Sequence, residues 1–162
     1  MIEEGAMKRE YIDTALSHFD DGCACSQSIL LAFSEVFNLD ETVAKRIAST
    51  FGGGMGRLRE KCGAVTGAFM VLGLAFGNVD PKDMKTKLYA YEKVRELNAR
   101  VQGEFGTTLC AEFLRKKASA ADIAARAHHR IVCRSIIEYT VGALVDILIE
   151  NGRLSRDSAP PA

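Results

Sequence analysis

The stretch CGAVTGAFMVLGLAF, Cys62 to Phe76, is apolar on every face of the helix that its composition favours. An element with no polar side belongs in the middle of a domain, so this stretch predicts a buried central helix starting near Cys62. Gly63, Gly67, Ala64 and Ala68 form rows of small residues along it, and neighbouring backbones can approach closely there.

Working outward, the preceding segment FGGGMGRLREK, Phe51 to Lys61, is a glycine-rich, basic approach that delivers Cys62 into the first turn of that helix. Helix N-termini present unpaired N–H groups and the positive end of the dipole, which favour a thiolate over a thiol. Arg57, Arg59 and Lys61 add positive charge. Both effects mark Cys62 as the attacking sulfur of a thiol reaction. The run GGGMGR is a turn and not a phosphate cradle, because the phosphate loop requires a Gly-Lys-Ser/Thr ending and a preceding strand.

The flanking segments also read at helical period, and alternating runs of the half-buried strand kind are absent, so the fold class is all-α. The expected architecture is a single-domain helical bundle over residues 1–155, with a disordered, proline-terminated tail at 156–162. A first helix over 7–18 buries Tyr11, Ile12, Ala15 and Leu16 and stops before the Asp20-Asp21-Gly22 turn. A second runs from Ser26 to Phe37, which puts Cys25 at a helix start. Asp40 caps a third from Glu41 to Ser49, ended by the glycine run. Asp80 and Pro81 open a longer helix to about Val101, closed by Gly103 and Gly106. Thr107 or Thr108 caps a short helix from Cys110 to Lys117, and a last helix spans Asp122 to Glu150 before Asn151 and Gly152.

Composition bounds the function. A chain of 162 residues that is 48% hydrophobic buries a real core without staples. Its five cysteines are therefore not needed for folding, and the odd count argues against a fully paired set. No signal-type segment opens the chain and no apolar run reaches the roughly 20 residues of a membrane span. The expectation is a cytoplasmic protein, where cysteines serve metal ligation, redox exchange or plain burial. Basic and acidic residues number 21 each and are mixed along the chain, which disfavours nucleic acid as a partner. Asp20-Asp21 and Asp40-Glu41 occupy turn and cap positions and are not a glycosidase-type pair. No Gly-x-Ser-x-Gly nucleophile signature and no Cys-x-x-Cys-His haem attachment sequence occur.

Cysteine thus remains the chemistry-bearing residue. Cys23-Ala24-Cys25 lacks the two-residue spacing of a CxxC pair, and a disulfide across it would close a small, strained ring. Cys25 is the functional member of the two. His129 and Cys133, four apart on the last helix, can share one face as ligand pair or as base and thiol. Buried cysteine is also an ordinary small hydrophobe, which is the structural reading of each of these positions.

The segment CSQSILLAF at Cys25, the core Cys62-Gly63-Ala64-x-x-Gly67, then Cys110 and Cys133 resemble the C_GCAxxG_C_C family of redox-active proteins. The resemblance covers about residues 10–140, and Cys23 is an extra beyond the family pattern. It implies a cysteine-based redox role in which Cys25, Cys62, Cys110 and Cys133 converge, for thiol–disulfide or electron-transfer chemistry with an unidentified redox partner. The alternative is that the same four cysteines hold a metal, either a [2Fe–2S] cluster or zinc. A third reading is an interaction module in which the cysteines are core residues and the Gly63 and Gly67 rows mediate helix packing, including between the subunits of a homodimer.

Overall fold

The computed structural model describes the backbone of residues 2–115 and 122–155, and the side chains of residues 3–115 and 129–155. Among the described residues there are helices and one isolated bridge, and no strand of a sheet. The fold is all-α, and a single-domain bundle accommodates it. The expected tail at 156–162 and the end of the short helix at Lys117 lie outside the described residues.

Helix α1 (Ile2–Asp20) packs on α8 (Asp122–Glu150) and on α2 (Cys25–Ala32). Between α1 and α2, Tyr11 stacks on Phe33 with ring centroids 4.5 Å apart, and both rings are fully buried. Helix α1 begins earlier than the 7–18 expected from its apolar face. Its last residue, Asp20, accepts hydrogen bonds from Arg130 and Arg134 on α8, so the chain leaves α1 tied to the neighbourhood of Cys133.

Helix α2 ends at Ala32 and not at Phe37. The backbone tightens there to bonds of Phe33 N–H to the Leu30 carbonyl and Ser34 N–H to the Leu31 carbonyl. The Ser34 hydroxyl also donates to the Leu31 carbonyl, at 2.8 Å, offering that carbonyl a partner outside the helix ladder. Helix α3 (Glu41–Ser49) starts as the sequence indicates, with the Asp40 side chain accepting from Val43 N–H. Its C-terminal carbonyls receive two side chains of α2: Ser26 Oγ donates to Ala48 O at 2.7 Å and Gln27 Nε2 to Lys45 O at 2.9 Å.

The glycine run forms a single turn, α4 (Gly52–Met55), in which Gly53 and Gly54 take left-handed φ of 65° and 71°. Central helix α5 (Gly63–Phe76) then passes between α2, α6 and α8. Gly63 through Ala68 are buried on every side, as the all-round apolar sequence requires, whereas Leu74 near its end is 41% exposed. The small-residue row is used within the chain. A Cβ on Gly67 would stand 2.7 Å from the Ser26 carbonyl oxygen, and one on Gly63 would meet Phe51 O at 3.0 Å and the Cys25 Cβ at 3.4 Å. Both glycines allow the backbones of α5 and α2 to touch at the Cys25 end.

Helix α6 (Met84–Phe105) begins later than the Asp80-Pro81 pair suggests. Asp83 is the cap, accepting from Thr86 N–H, while Asp80 accepts from Lys82 N–H and makes a turn before it. Gly103 lies inside the helix and Gly106, at φ 73°, ends it. Helix α7 (Cys110–Arg115) follows, held through Phe105, whose ring meets Phe113 and Tyr139 edge to face at 5.5 and 5.4 Å. Among the described residues no helix is long and apolar enough to cross a membrane.

Candidate functional site

Three helix starts and one helix face converge on a cavity of about 100 Å³. Cys25, Cys62, Cys110 and Cys133 all line it, although they come from α2, the start of α5, α7 and α8. Cys23, two residues before Cys25, does not.

Each cysteine reaches the cavity for a local reason. Cys25 is the first residue of α2, whose start is fixed by Ala24 N–H donating to Gln27 Oε1 at 2.9 Å. Gly63 and Gly67 then press that start against α5, beside Cys62. Cys62 is the N-cap of α5 and stands just before its first turn. Cys110 is brought alongside by an antiparallel bridge between Lys61 and Leu109, in which Cys62 N–H donates to Thr108 O at 2.9 Å and Cys110 N–H to Glu60 O at 2.7 Å. Cys133 projects from α8, near the arginines that bind Asp20.

Neither the bridge nor the role of the glycines at 53 and 54 was visible in the chain's helical periodicity. A Cβ on Gly54 would fall 2.5 Å from the Cys110 Cβ and 3.0 Å from the Arg59 Cα. The glycine run is therefore the floor on which Arg59 and Cys110 rest, as well as a turn. The signal for this was in the sequence, in the arginines that follow the glycines, but only the fold shows what rests on them.

The electrostatics differ from the expectation for Cys62. The amides of Ala64 and Val65 do favour its thiolate, but burial dominates and pushes the thiol up to about 12. Cys62 is 5% exposed. The basic residues of the approach are engaged elsewhere: Lys61 Nζ donates to Thr108 Oγ1 and Asn98 Oδ1, and Arg57 is exposed. Arg59 Nη1 lies 3.7 Å from Cys110 Sγ.

The thiolate character moves instead to Cys133. The neighbouring Cys25 thiol, with the positive charge of Arg59, holds Cys133 below the ordinary thiol range against the effect of burial. Cys25 is raised in turn by Cys133, by burial and by the other sulfurs. These two thiols are half-buried, while Cys62 and Cys110 are buried. His129 lines the cavity one helical turn before Cys133.

All five cysteines are free thiols. Among the described residues no three His, Cys, Asp or Glu side chains come together closely enough to hold a metal ion.

A family model described as "Putative redox-active protein (C_GCAxxG_C_C)" matches residues 23–147. No curated protein and no solved structure matches the chain.

Proposed function

The chain belongs to the C_GCAxxG_C_C family and shares its general redox role, and from that premise we propose that it performs thiol–disulfide exchange at Cys25 and Cys133, with Cys62 and Cys110 completing the site. The observation that carries this reading is that Cys25 and Cys133 are neighbours at a cavity lined by all four cysteines. It pairs a favoured thiolate with a protonated neighbour, the division of labour that exchange requires.

The Cys133 thiolate attacks one sulfur of a substrate disulfide, forming a mixed disulfide and releasing the other half as a thiolate, which takes up a proton. Cys25 then gives up its proton and attacks the Cys133 sulfur. The Cys25–Cys133 disulfide forms and the second half leaves as a thiol. Two electrons pass to the substrate, which is reduced as the protein dithiol is oxidised; the reverse sequence regenerates the dithiol.

Incubation of the reduced protein with a small neutral disulfide, followed by differential alkylation and peptide mass mapping, tests this. A Cys25–Cys133 disulfide is expected. Five thiols left unchanged, or a disulfide that omits Cys133, would overturn it.

A metal-centred reading draws on the same lining, since four thiolates are the donor set of an iron–sulfur cluster and of structural zinc. The arrangement does not fit a metal as it stands. Among the described residues no three donors that line the cavity stand close enough together to hold one ion, and Cys62 would have to lose a proton that burial holds. Iron, sulfide and zinc analysis of anaerobically purified protein separates the two readings: stoichiometric metal would displace the exchange reading.

A further inference from the structure

Arg59 is the cation of the thiol cavity, and the exchange chemistry above leaves most of its hydrogen-bonding capacity unused. Its backbone takes a left-handed φ of 64°, a conformation that costs a non-glycine residue on the order of 1 kcal/mol or more. The conformation is held from both sides: the Arg59 carbonyl accepts from Ala111 N–H at 3.1 Å, and its Cα rests on Gly54. The side chain then runs over Gly53, where a Cβ would stand 3.5 Å from Nη1, and ends at Cys110 Sγ. The fold thus spends strain to turn this guanidinium inward.

Once there, it has no counter-charge. Among the described residues no carboxylate pairs with Arg59, whereas Lys8, Arg100 and Arg134 each hold one. Among the described residues that line the cavity there is no Asp or Glu, and the basic ones are Arg59 and His129. A guanidinium carries five N–H donors in a planar fork suited to a carboxylate, and a sulfur at 3.7 Å is a weak acceptor for one of them. Arg59 borders a space walled by thiols, Phe113 and Ile136, where a charge interaction is screened less than in water.

We propose that Arg59 makes this site selective for low-molecular-weight disulfides that carry a carboxylate or similar anionic group close to the reacting sulfur. This rests on the exchange reading of Cys25 and Cys133 and supplies its substrate class. The cavity, at about 100 Å³, admits the sulfur-bearing end of a small molecule and is too small for a loop of a folded protein. Binding the anion at Arg59 sets the substrate's disulfide beside Cys133. The bonds then made and broken are those already given: the substrate gains two electrons and leaves as two thiols, and the Cys25–Cys133 disulfide remains.

The test uses three symmetrical disulfides of similar size: dithiodiglycolate (anionic), bis(hydroxyethyl) disulfide (neutral) and cystamine (cationic). The rate of Cys25–Cys133 disulfide formation with each is divided by its rate with a free small thiol at the same pH and ionic strength. The full chain is expected to prefer the anionic over the cationic compound by about tenfold or more, falling as salt is raised. Arg59→Gln should bring the three normalised rates within about twofold, and Arg59→Lys should keep part of the preference. Should Arg59→Gln fail to fold, the salt dependence in the unaltered protein still decides. Equal normalised rates for the three disulfides, or a preference that survives in Arg59→Gln, would sink the proposal while leaving exchange intact. If none of the three oxidises Cys25 and Cys133, the exchange reading itself falls.

Discussion

Gly54 and Cys110 approach more closely than any side chain at position 54 would allow, since a Cβ there would stand 2.5 Å from the Cys110 Cβ. The same atom would crowd Arg59 Cα and Glu60 N, both at 3.0 Å, and the position has a left-handed φ of 71°. Replacement with alanine meets backbone strain and overpacking together. Gly54→Ala is expected to lower stability by about 2 kcal/mol or more, read from urea unfolding. A change below about 0.5 kcal/mol would show that α4 and α7 yield to each other freely.

The glycines of the Cys62-Gly63-Ala64-x-x-Gly67 core separate cleanly from a third glycine on the same helix. A Cβ on Gly67 would meet Ser26 O at 2.7 Å and Ser26 Cα at 3.0 Å, both backbone atoms that cannot swing aside. Gly73 has nothing within 4 Å. Gly67→Ala should cost about 1–3 kcal/mol by forcing α5 off α2, whereas Gly73→Ala should gain about 0.5–1 kcal/mol from helix propensity. Thermal melts of the two variants in opposite directions are the expected result.

Tyr11 and Thr140 each bury a hydroxyl that finds no hydrogen-bond partner. Removing an unsatisfied buried group relieves its desolvation cost, while the Tyr11 ring keeps its stacking on Phe33. Tyr11→Phe is therefore expected to leave stability unchanged or raise it by up to about 1 kcal/mol. A loss above about 1 kcal/mol in urea unfolding would mean that the hydroxyl is satisfied by water.

Thiol reactivity should divide by position and not by proximity to a helix start. Cys133, held below the ordinary thiol value of 9.0 by the neighbouring Cys25 thiol and by Arg59, is expected to alkylate first as pH rises. Cys62 should resist until the protein opens. Cys25→Ala removes that neighbour, so the alkylation midpoint of Cys133 should move up; a midpoint that stays in place contradicts the pairing.

The same burial couples stability to alkaline pH. Folded Cys62 keeps its proton to about 12, while the unfolded chain releases it near 9.0, so the unfolded state binds fewer protons above that pH. Tyr11 acts in the same sense, with its phenol raised from 10.0 to about 12. The stabilisation is complete below pH 9 and is lost between about 9 and 12, at up to about 1.4 kcal/mol per pH unit for each group. Unfolding midpoints under reducing conditions should fall across that window, and Cys62→Ala should flatten the first part of the fall.

The sequence by itself determined the all-α class and the buried beginning of α5, because periodicity and an apolar run report burial directly; the resemblance to the family pattern, and not periodicity, singled out Cys25, Cys62, Cys110 and Cys133. It also marked the Gly63 and Gly67 row as a place of close approach. It could not show that Cys62 is the most sheltered of the sulfurs, since the dipole of a helix start is written locally, whereas desolvation depends on what other segments cover it. The lowered Cys133 thiol likewise needs tertiary structure: its thiol neighbour is Cys25 and its cation is Arg59, residues 108 and 74 positions away. Helix boundaries at Ala32 and Met84 were shifted by side-chain bonds of Ser34, Asp80 and Asp83, where several polar residues compete for the same backbone groups. Which cysteine reacts is a property of the cavity, formed only when α2, α5, α7 and α8 meet.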